Sequence, residues 1–309
     1  MPRSAHGPPG KSVAPLVGVG KQRIRLTNLD KLFWPQEGIR KRDLLRYYLR
    51  VAPHLLPHLK DRPMVLRRHP DGAADPGFFM KHAPDTRPDW VATCRMRHKG
   101  RHTDFVLVQN LATLLWVVNL GCIDLNPWYS RCDAPEQPDH LMLDLDPGPE
   151  TPFAAVRDAA LIVRDALSSL GAAAYPKTTG SRGIHVGVPI RRGPAHERVW
   201  QFAKALAREL TSRHPRTFTL EYSKARRPPD RVLLDYNQMA YGQTLASVYS
   251  VRPKPRAPVS TPLTWAEVAR PIAIEDFRLD NLPRRLGRRG DLWKPLLSPR
   301  GRFDLGRLL

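Results

Sequence analysis

The middle of the chain alternates apolar runs and amphipathic segments in an order that is typical of one fold. Residues 140–222 read HLMLDLDPGPETPFAAVRDAALIVRDALSSLGAAAYPKTTGSRGIHVGVPIRRGPAHERVWQFAKALARELTSRHPRTFTLEY. These runs predict strands at 140–146, 172–178, 184–190 and 217–222, and helices at about 151–171 and 195–213. The order β-α-β-β-α-β is the split ferredoxin-like arrangement, in which two helices back one face of an antiparallel sheet and the other face can meet a substrate.

Weaker patterns flank this region. A helical spacing covers residues 40–60, with breaks expected at Pro53 and Pro57. Strands are expected at 64–68, 105–108 and 232–236, and a buried helix at 111–120 with Gly121 as its C-terminal cap. Residues 1–20 are rich in Pro and Gly and are expected to form a disordered basic tail, and residues 253–309 a peripheral wrap. The predicted class is therefore α+β.

The charge of the chain indicates its partner. Lys and Arg number 50 against 29 acidic residues, a formal charge of +21. Such an excess favours a polyanion, with nucleic acid as the first candidate. An anionic membrane is the competing partner, but no apolar run reaches the roughly 18 residues of a spanning helix and the N-terminus lacks a signal-peptide core. The chain is expected to be cytoplasmic and associated with the nucleoid.

The three cysteines suggest neither a disulfide framework nor a CxxC pair. Cys94, Cys122 and Cys132 are expected to be buried or idle thiols in a reducing compartment. Cys94, His98 and His102 are spaced four apart, which would align them on a helix for zinc. A basic loop explains RMRHKGRH more simply, and no fourth ligand is evident.

Three acidic residues lie inside apolar strands. Asp144 and Asp146 are two apart, so both side chains leave one face of the predicted strand. An unpaired charge among Leu143 and Leu145 would be costly, and a cation is a natural partner. Asp235, embedded in VLLDY, repeats the pattern. If the three converge they can hold two divalent ions, although a strand-end turn at Asp146 and a satisfied buried Asp235 remain alternatives.

The loop between the two central strands suits an anion. TTGSRGIH (178–185) supplies hydroxyls, glycines, exposed backbone N–H groups and a cation, although it is not a P-loop and a Gly-Ser turn is the simpler alternative. His185 alternates with Gly187, whose small size would leave room for a ligand. Phe78 and Phe79 beside Lys81 offer a stacking platform next to positive charge, or else plain core.

With these motifs the chain resembles the polymerase domain of bacterial ATP-dependent DNA ligase D, a group within the archaeo-eukaryotic primase superfamily that acts in non-homologous end joining. The resemblance covers residues 26–297. It is carried by LTNLDKLFWP, GFFMKHAPDTRPDW, LVQNLATLLWVVNLGCIDLNPW, HLMLDLDPG, TTGSRGIHVGVPI, VLLDYNQM and YSVRPKPRAPVSTPLTWAEV in unbroken order.

The resemblance implies an RRM-like catalytic palm with an N-terminal α/β elaboration, the primase-polymerase fold, over residues 21–300. Its subregions would be 21–135, 136–252 and 253–309. It also implies two divalent ions, Mn²⁺ or Mg²⁺, a preference for ribonucleotides, and recognition of the 5′-phosphate at gapped or broken DNA. A separate DNA ligase and a Ku-type end-binding protein are the implied partners, with no membrane.

Family roles transfer by position to four groups of residues. The metal ligands and catalytic residues would be Asp144, Asp146 and Asp235. The incoming nucleotide would meet Arg67, Phe79, Asn126, Thr179, Ser181, Arg182, His185, Arg252 and one of Arg226 or Arg227. Phe78 and Phe79 would stack on template or nucleotide. Asn28, Lys31 and Lys41 would bind the 5′-phosphate.

The sequence departs from the family pattern at Asn126, Arg67, Thr179 and Gln243, where many relatives carry His, Lys, Ser and Lys. These changes keep hydrogen-bonding capacity more than charge and bear on sugar selectivity and affinity. No KxDG adenylation motif or nuclease segment is present, so the chain is expected to be the polymerase unit alone.

The sequence alone leaves other functions open. A non-catalytic RRM-like binder would explain the charge and the aromatics, but not three embedded acids. A phosphohydrolase or a metal-dependent glycosyltransferase also uses Asp-x-Asp, but Pro147-Gly148 does not match the phosphatase string. Within the family, a stand-alone primase and a gap-filling repair polymerase remain alternatives.

Overall fold

The structure is a computed structural model that describes residues 14–98 and 100–308. The first part of the chain forms short strands, two helices and a sheet. Its elements are β1 (Leu16–Val19), β2 (Gln22–Arg25), β3 (Leu32–Trp34), β4 (Ile39–Arg40), α1 (Lys41–Leu59), β5 (Pro63–Arg68), β6 (Phe78–Met80), β7 (Thr93–His98), β8 (Arg101–Leu107), α2 (Leu111–Asn119) and β9 (Cys122–Pro127).

The second part forms the palm and the segments that cover it. Its elements are β10 (His140–Pro147), α3 (Phe153–Ser169), β11 (Tyr175–Thr178), β12 (Ile184–Pro189), α4 (His196–Arg213), β13 (Phe218–Thr219), β14 (Val232–Asp235), α5 (Trp265–Val268) and α6 (Leu282–Arg289). Single turns of 3-10 helix occupy Tyr236–Met239, Ile274–Asp276, Lys294–Leu297 and Leu305–Arg307.

The palm sheet has the strand order β11-β12-β10-β14-β13. Without β14, this is the strand order of a ferredoxin-like sheet, so the predicted fold is confirmed. β14 is an interior strand that pairs antiparallel with β10 and parallel with β13. The extra strand predicted near residue 234 therefore lies beside the central strand of the palm.

Alternation along β10 separates the two faces of the palm. Leu141, Leu143 and Leu145 are fully buried, and they point to one face while Asp144 and Asp146 point to the other. Helices α3 and α4 both pack against the palm sheet, α3 over β10, β12 and β14 and α4 over β10 and β13. The buried stripe of α3 includes Val156, Val163 and Leu167. This packing leaves the carboxylate face for a ligand.

The first part of the chain builds a second antiparallel sheet around β5. β5 pairs with β9 along one side and with β8 and β6 along the other, and β7 and β8 form a hairpin. One hydrophobic core runs from Ile24 to Leu305 and joins all three predicted subregions. The proposed boundaries near residues 135 and 252 therefore do not separate independent cores.

Two local predictions about the first part were wrong. Helix α1 continues through Pro53 and Pro57, because its buried face, including Leu44, Tyr48 and Leu55, compensates for the missing N–H groups. Disorder up to residue 20 is contradicted at Leu16–Val19, which pairs with β2. Residues 1–13 of that predicted tail lie outside the described residues.

The prediction of unpaired cysteines was wrong for two of the three and confirmed for Cys122. Cys94 and Cys132 form a disulfide with their Cα atoms 6.0 Å apart, and Cys122 is a buried free thiol. The sheet brings together residues 38 apart in sequence, which spacing alone does not reveal. The zinc alternative fails too, because Cys94 and His98 lie on β7 and His102 on β8 rather than on a helix.

The C-terminal segment covers part of the carboxylate face. A Cβ atom at Gly187 would lie 2.9 Å from Leu296 Cδ2 and 3.2 Å from the Trp293 ring. The small residue beside His185 therefore makes room for core side chains, not for a ligand. The remaining open part of this face lies toward the other end of β10, around Asp144 and Asp146.

Candidate active site

Four polar side chains form a row across the open face of the palm. Lys177 of β11 is the register partner of His185 on β12, which is in turn the partner of Asp144 on β10. Asp144 is also the partner of Asp235 on β14. The register thus produces the convergence of Asp144 and Asp235 that sequence spacing could not establish, with Asp146 two residues along on the same face.

Asp144 lies deep in this row. Its side chain is 14% exposed, and Oδ1 lies 3.3 Å from His185 Nε2. Burial raises the pKa of Asp144 to about 6, although the charges of Lys177 and Arg252 lower it. A carboxylate held in this way is poorly solvated and favours a nearby cation.

The two other carboxylates have polar partners of their own. Tyr222 Oη donates to Asp235 Oδ1 over 2.9 Å, and Gln238 Nε2 donates to Oδ2 over 2.8 Å. Burial raises the pKa of Asp235, the Gln238 hydrogen bond lowers it, and the charge of Asp144 raises it again. Asp146 is half exposed and receives a hydrogen bond of 3.0 Å from Arg227 Nη1.

The three carboxylates suit a hard divalent ion in donor type. The repulsion between Asp144 and Asp235, which raises the pKa of Asp235, is what a cation between them would relieve. With the side chains held by their present partners, the described residues contain no cluster of three or more His, Cys, Asp or Glu residues around a common point.

A cleft of about 290 Å³ opens over Asp144 and Asp146. It brings together nearly all of the residues that the resemblance assigned to the nucleotide. Those that line it are Arg67, Phe79, Asn126, Thr179, Ser181, Arg182, His185 and Arg252. Arg227 and Asp235 are not among the lining residues, and Arg227 reaches the site through Asp146.

The loop between β11 and β12 is held tightly at one edge of the cleft. Thr179 Oγ1 accepts hydrogen bonds of 3.1 Å from the N–H groups of Ser181 and Gly183. The loop was expected to offer exposed N–H groups to an anion, and these two are used within the loop instead. Gly183 is required, because a Cβ atom there would lie 2.2 Å from Leu145 O.

Two polar residues of the site were missed from the sequence. Lys177 is 1% exposed and contacts His185. Asp124 on β9 is 2% exposed and lies 3.4 Å from Arg252 Nε, while Arg252 Nη1 donates to Thr179 O over 2.7 Å. Asp124 thus fixes the arginine that supports the loop. Lys177 and Asp124 each place a charge within an apolar strand, which is the pattern that marked Asp144 in the sequence.

The aromatic pair on β6 is exposed. Phe78 and Phe79 are 49% and 61% exposed, so they are not core residues. The guanidinium carbon of Arg67 lies 5.4 Å from the centre of the Phe79 ring, and that of Arg68 lies 5.3 Å from the Phe78 ring. Exposed rings next to cations are the arrangement that single-strand binders use for base stacking.

The residues predicted for a 5′-phosphate lie around the start of α1. Lys41 is the first residue of the helix and is 4% exposed, and its Nζ donates to Thr27 O over 2.7 Å. Burial lowers the pKa of Lys41 to about 8, with help from the charges of Lys31 and Arg68. Lys31 pairs with Asp71, and Asn28 adopts a left-handed backbone conformation.

The helix N-terminus itself is less open than expected. The N–H of Lys41 donates to Lys31 O and that of Arg42 donates to Leu29 O, over 2.9 and 3.0 Å. Those N–H groups are used by the backbone of the preceding segment. Positive charge at this place therefore comes from the side chains of Lys31, Lys41 and Arg68.

The fold and the cleft match a known family. Residues 40–293 match the family model described as the LigD primase-polymerase domain. The chain belongs to this family. Its members are metal-dependent nucleotidyltransferases, in agreement with the carboxylates of Asp144 and Asp146 in a cleft that cations also line.

Relatives and a solved structure agree with this assignment. The multifunctional non-homologous end joining protein LigD of Mycolicibacterium smegmatis is 31% identical over 89% of this chain, and the bifunctional LigD of Bacillus subtilis is 30% identical over 87%. The chain spans 36% and 43% of the length of these two relatives.

The polymerase domain of Mycobacterium tuberculosis ligase D, solved in complex with DNA, superposes with a TM-score of 0.85 and 28% identity. The match covers 90% of this chain and 99% of that one. In the described part of the chain, no helix combines the length and the apolarity that crossing a bilayer requires.

Proposed function

We propose that this chain extends the 3′ ends of DNA at gaps or double-strand breaks under the direction of a template, as part of non-homologous end joining. The observation that carries this proposal is the register of the palm. It sets Asp144 opposite Asp235 and next to His185, beneath a cleft lined by the residues assigned to the incoming nucleotide.

Asp144, Asp146 and Asp235 are proposed to hold two divalent ions, Mn²⁺ or Mg²⁺. Two such ions would activate the attacking 3′-hydroxyl and stabilise the charge that develops on the leaving pyrophosphate. Arg182, Arg252 and Arg227 lie around these carboxylates and are proposed to neutralise the triphosphate. Arg67 and Phe79 would form the wall against the base and sugar.

A preference for ribonucleotides is proposed from the polar wall of the cleft. The amide of Asn126 is buried, and its Nδ2 has no well-formed hydrogen bond among the described residues, although it interacts with the Asp124 carboxylate, whose pKa is raised by burial and lowered by this contact. A donor of this kind would bond the oxygen of a 2′-hydroxyl, and the hydroxyls of Thr179 and Ser181 lie on the same cleft. A deoxynucleotide would leave the amide unpaired, at a cost in free energy.

The DNA contacts are proposed on either side of the cleft. Phe78 and Phe79 would stack on the template, while Asn28, Lys31 and Lys41 would hold the 5′-phosphate across a gap. We also propose that the chain works with a DNA ligase and a Ku-type end-binding protein, and that it is a cytoplasmic protein associated with the nucleoid. Its charge of +21 supports the association with DNA.

An extension assay tests this proposal. Labelled ribo- or deoxynucleotide is supplied with Mn²⁺ or Mg²⁺ and gapped DNA that carries either a 5′-phosphate or a 5′-hydroxyl. Extension that follows the template and fails after Asp144→Asn is the expected result. Tight DNA binding without extension under either metal would favour a non-catalytic binder on the same fold.

A further inference from the structure

Lys177 is a charged residue at the centre of the molecule. Its side chain is 1% exposed, and it lies on β11 at the end of the polar row that contains His185 and Asp144. The proposed chemistry assigns no role to Lys177. A buried lysine is costly unless each of its donors meets an acceptor, so its partners show what it does.

Three polar atoms surround Lys177 Nζ. Ser260 Oγ lies at 2.6 Å and Ala246 O at 3.0 Å. Ser260 Oγ donates its own hydrogen to Thr178 O over 2.9 Å, so it accepts from Lys177. The third atom is His185 Nδ1 at 2.6 Å. Burial and the charge of Arg252 lower the pKa of Lys177, while the charge of Asp144 raises it. The charged form has three N–H donors, and with two of them assigned the third points at His185 Nδ1.

The other nitrogen of His185 faces the carboxylates. Nε2 lies 3.3 Å from Asp144 Oδ1. A proton on Nδ1 would set an N–H against the Lys177 ammonium group. The contact with Lys177 therefore indicates a neutral ring with its single proton on Nε2.

We propose that Lys177 is a positioning residue that holds His185 as the neutral tautomer with its proton on Nε2, facing Asp144 and the cleft. This inference rests on the proposed function for its consequence, because His185 lines the nucleotide cleft. The tautomer presents an N–H donor to the triphosphate or to Asp144, and it presents no lone pair there.

The contacts also connect the histidine to other segments. Ser260 belongs to the C-terminal segment, and Ala246 belongs to the loop that lines the cleft. The centre of the Trp293 ring, which also belongs to the C-terminal segment, lies 5.5 Å from Lys177 Nζ. Lys177 therefore lies between the palm and the segment that covers it.

Imidazole nitrogen NMR tests the tautomer directly. Protein with ¹⁵N-labelled histidine is recorded without nucleotide or DNA, and the His185 signals are assigned by their loss in His185→Gln. We expect a protonated Nε2 and an unprotonated Nδ1 in the wild-type protein. A protonated Nδ1 would overturn the proposal. This measurement needs neither enzymatic activity nor a variant at Lys177.

A variant then tests whether Lys177 sets this state. Lys177→Met keeps the length of the side chain and removes the donors, so the His185 signals should shift toward a mixture of tautomers. Catalytic efficiency should fall about 10-fold to 100-fold, the range seen when the partner that orients a functional histidine is lost. Binding of gapped DNA should not change. Wild-type His185 signals together with full activity in folded Lys177→Met would refute the role.

Ser260→Ala is the matched control. It removes another hydrogen-bond partner of the same ammonium group without touching His185, so the tautomer and kcat/KM should stay within about two-fold of wild type. A loss of activity in both variants with unchanged His185 signals would show a structural role only. If wild-type protein shows no extension, the proposed function fails, and the NMR result still decides the inference.

Discussion

Asp144 and Asp235 are directly opposed in the register of β10 and β14, and Asp235 accepts hydrogen bonds from neutral groups, the side chains of Tyr222 and Gln238 and the N–H of Asn237. Two partly buried carboxylates face each other across the sheet. The palm therefore holds two carboxylates in an electrostatically unfavourable arrangement, which is common at sites that bind an ion.

Replacing Asp144 with Asn should abolish nucleotide addition, by about 1,000-fold or more, because several kcal/mol of transition-state stabilisation would be lost. The free energy of unfolding without divalent metal should stay equal or rise, because a buried charge and its repulsion of Asp235 disappear. Single-turnover extension and denaturant unfolding measure the two effects. Asp165→Asn, on the exposed face of α3, should change neither.

Asp124 is expected to matter for both stability and activity. Asp124→Ala leaves the largely buried Arg252 without its carboxylate, and the free energy of unfolding should fall by about 3–5 kcal/mol. Extension should weaken because Arg252 supports Thr179. Unfolding in urea measures the first effect. Asp230→Ala breaks an exposed pair and should cost less than about 1 kcal/mol.

The double variant Asp124→Ala, Arg252→Met separates two explanations. If the cost comes from an unpaired buried charge, the double variant should be more stable than Asp124→Ala alone. A double variant that is less stable by the sum of both single losses would show that packing around Asp124, and not the charge, is responsible.

A comparison of Asp144 with Asp124 shows which residues of the site can be predicted from the sequence. Period-two alternation placed Asp144 and Asp146 on one face, because that property is local to a strand. Asp124 and Lys177 carry the same signal, a charge inside an apolar strand, but no neighbouring motif marked them. Their significance depends on Arg252 and His185, which the chain brings close only through sheet pairing.

The strand register and the segments that cover the palm could likewise not be predicted from the sequence. The order of elements predicted the palm topology, yet the placement of β14 beside β10 depends on pairs of residues 85 to 91 positions apart in sequence, among them Asp144 and Asp235. Gly187 was expected to leave room for a ligand, but Trp293 and Leu296 occupy that room. Only the folded chain shows which distant segment covers which face.

The disulfide between Cys94 and Cys132 should stabilise the sheet around β5. Because it closes a loop of 38 residues, its reduction should lower the free energy of unfolding by about 2–4 kcal/mol. Unfolding with and without a dithiol reductant measures this. The double variant Cys94→Ala, Cys132→Ala should be insensitive to the reductant. Denatured, unreduced protein that shows three titratable thiols, rather than the one of Cys122, would contradict the pairing.

Asn126 should contribute to sugar selectivity. Asn126→Ala removes the buried amide proposed to bond the 2′-hydroxyl, so the ratio of kcat/KM for ribo- over deoxynucleotides should fall by about 10-fold, through loss of ribonucleotide efficiency. Efficiency with deoxynucleotides should change little. Single-nucleotide extension of one gapped template measures both. Equal efficiencies for both sugars in the wild-type protein would remove the proposed preference altogether.

The preference for a 5′-phosphate should depend on pH because of Lys41. Burial and the charges of Lys31 and Arg68 lower the pKa of Lys41 from 10.5 to about 8. The phosphate binds the charged form, so the preference for 5′-phosphorylated over 5′-hydroxyl gapped DNA should be full near pH 7 and fall as the pH rises through about 8. A solvated lysine would keep its charge to about pH 10.

Two variants test whether the pH dependence arises from Lys41. Lys41→Ala should lose the preference at every pH. Lys31→Ala should weaken the preference and move its midpoint to higher pH, because removing a neighbouring positive charge makes protonation of Lys41 easier. Binding is measured from pH 7 to 9.5, where the terminal phosphate is already doubly charged, at one fixed salt concentration. A preference that is constant over this range would place the phosphate away from Lys41.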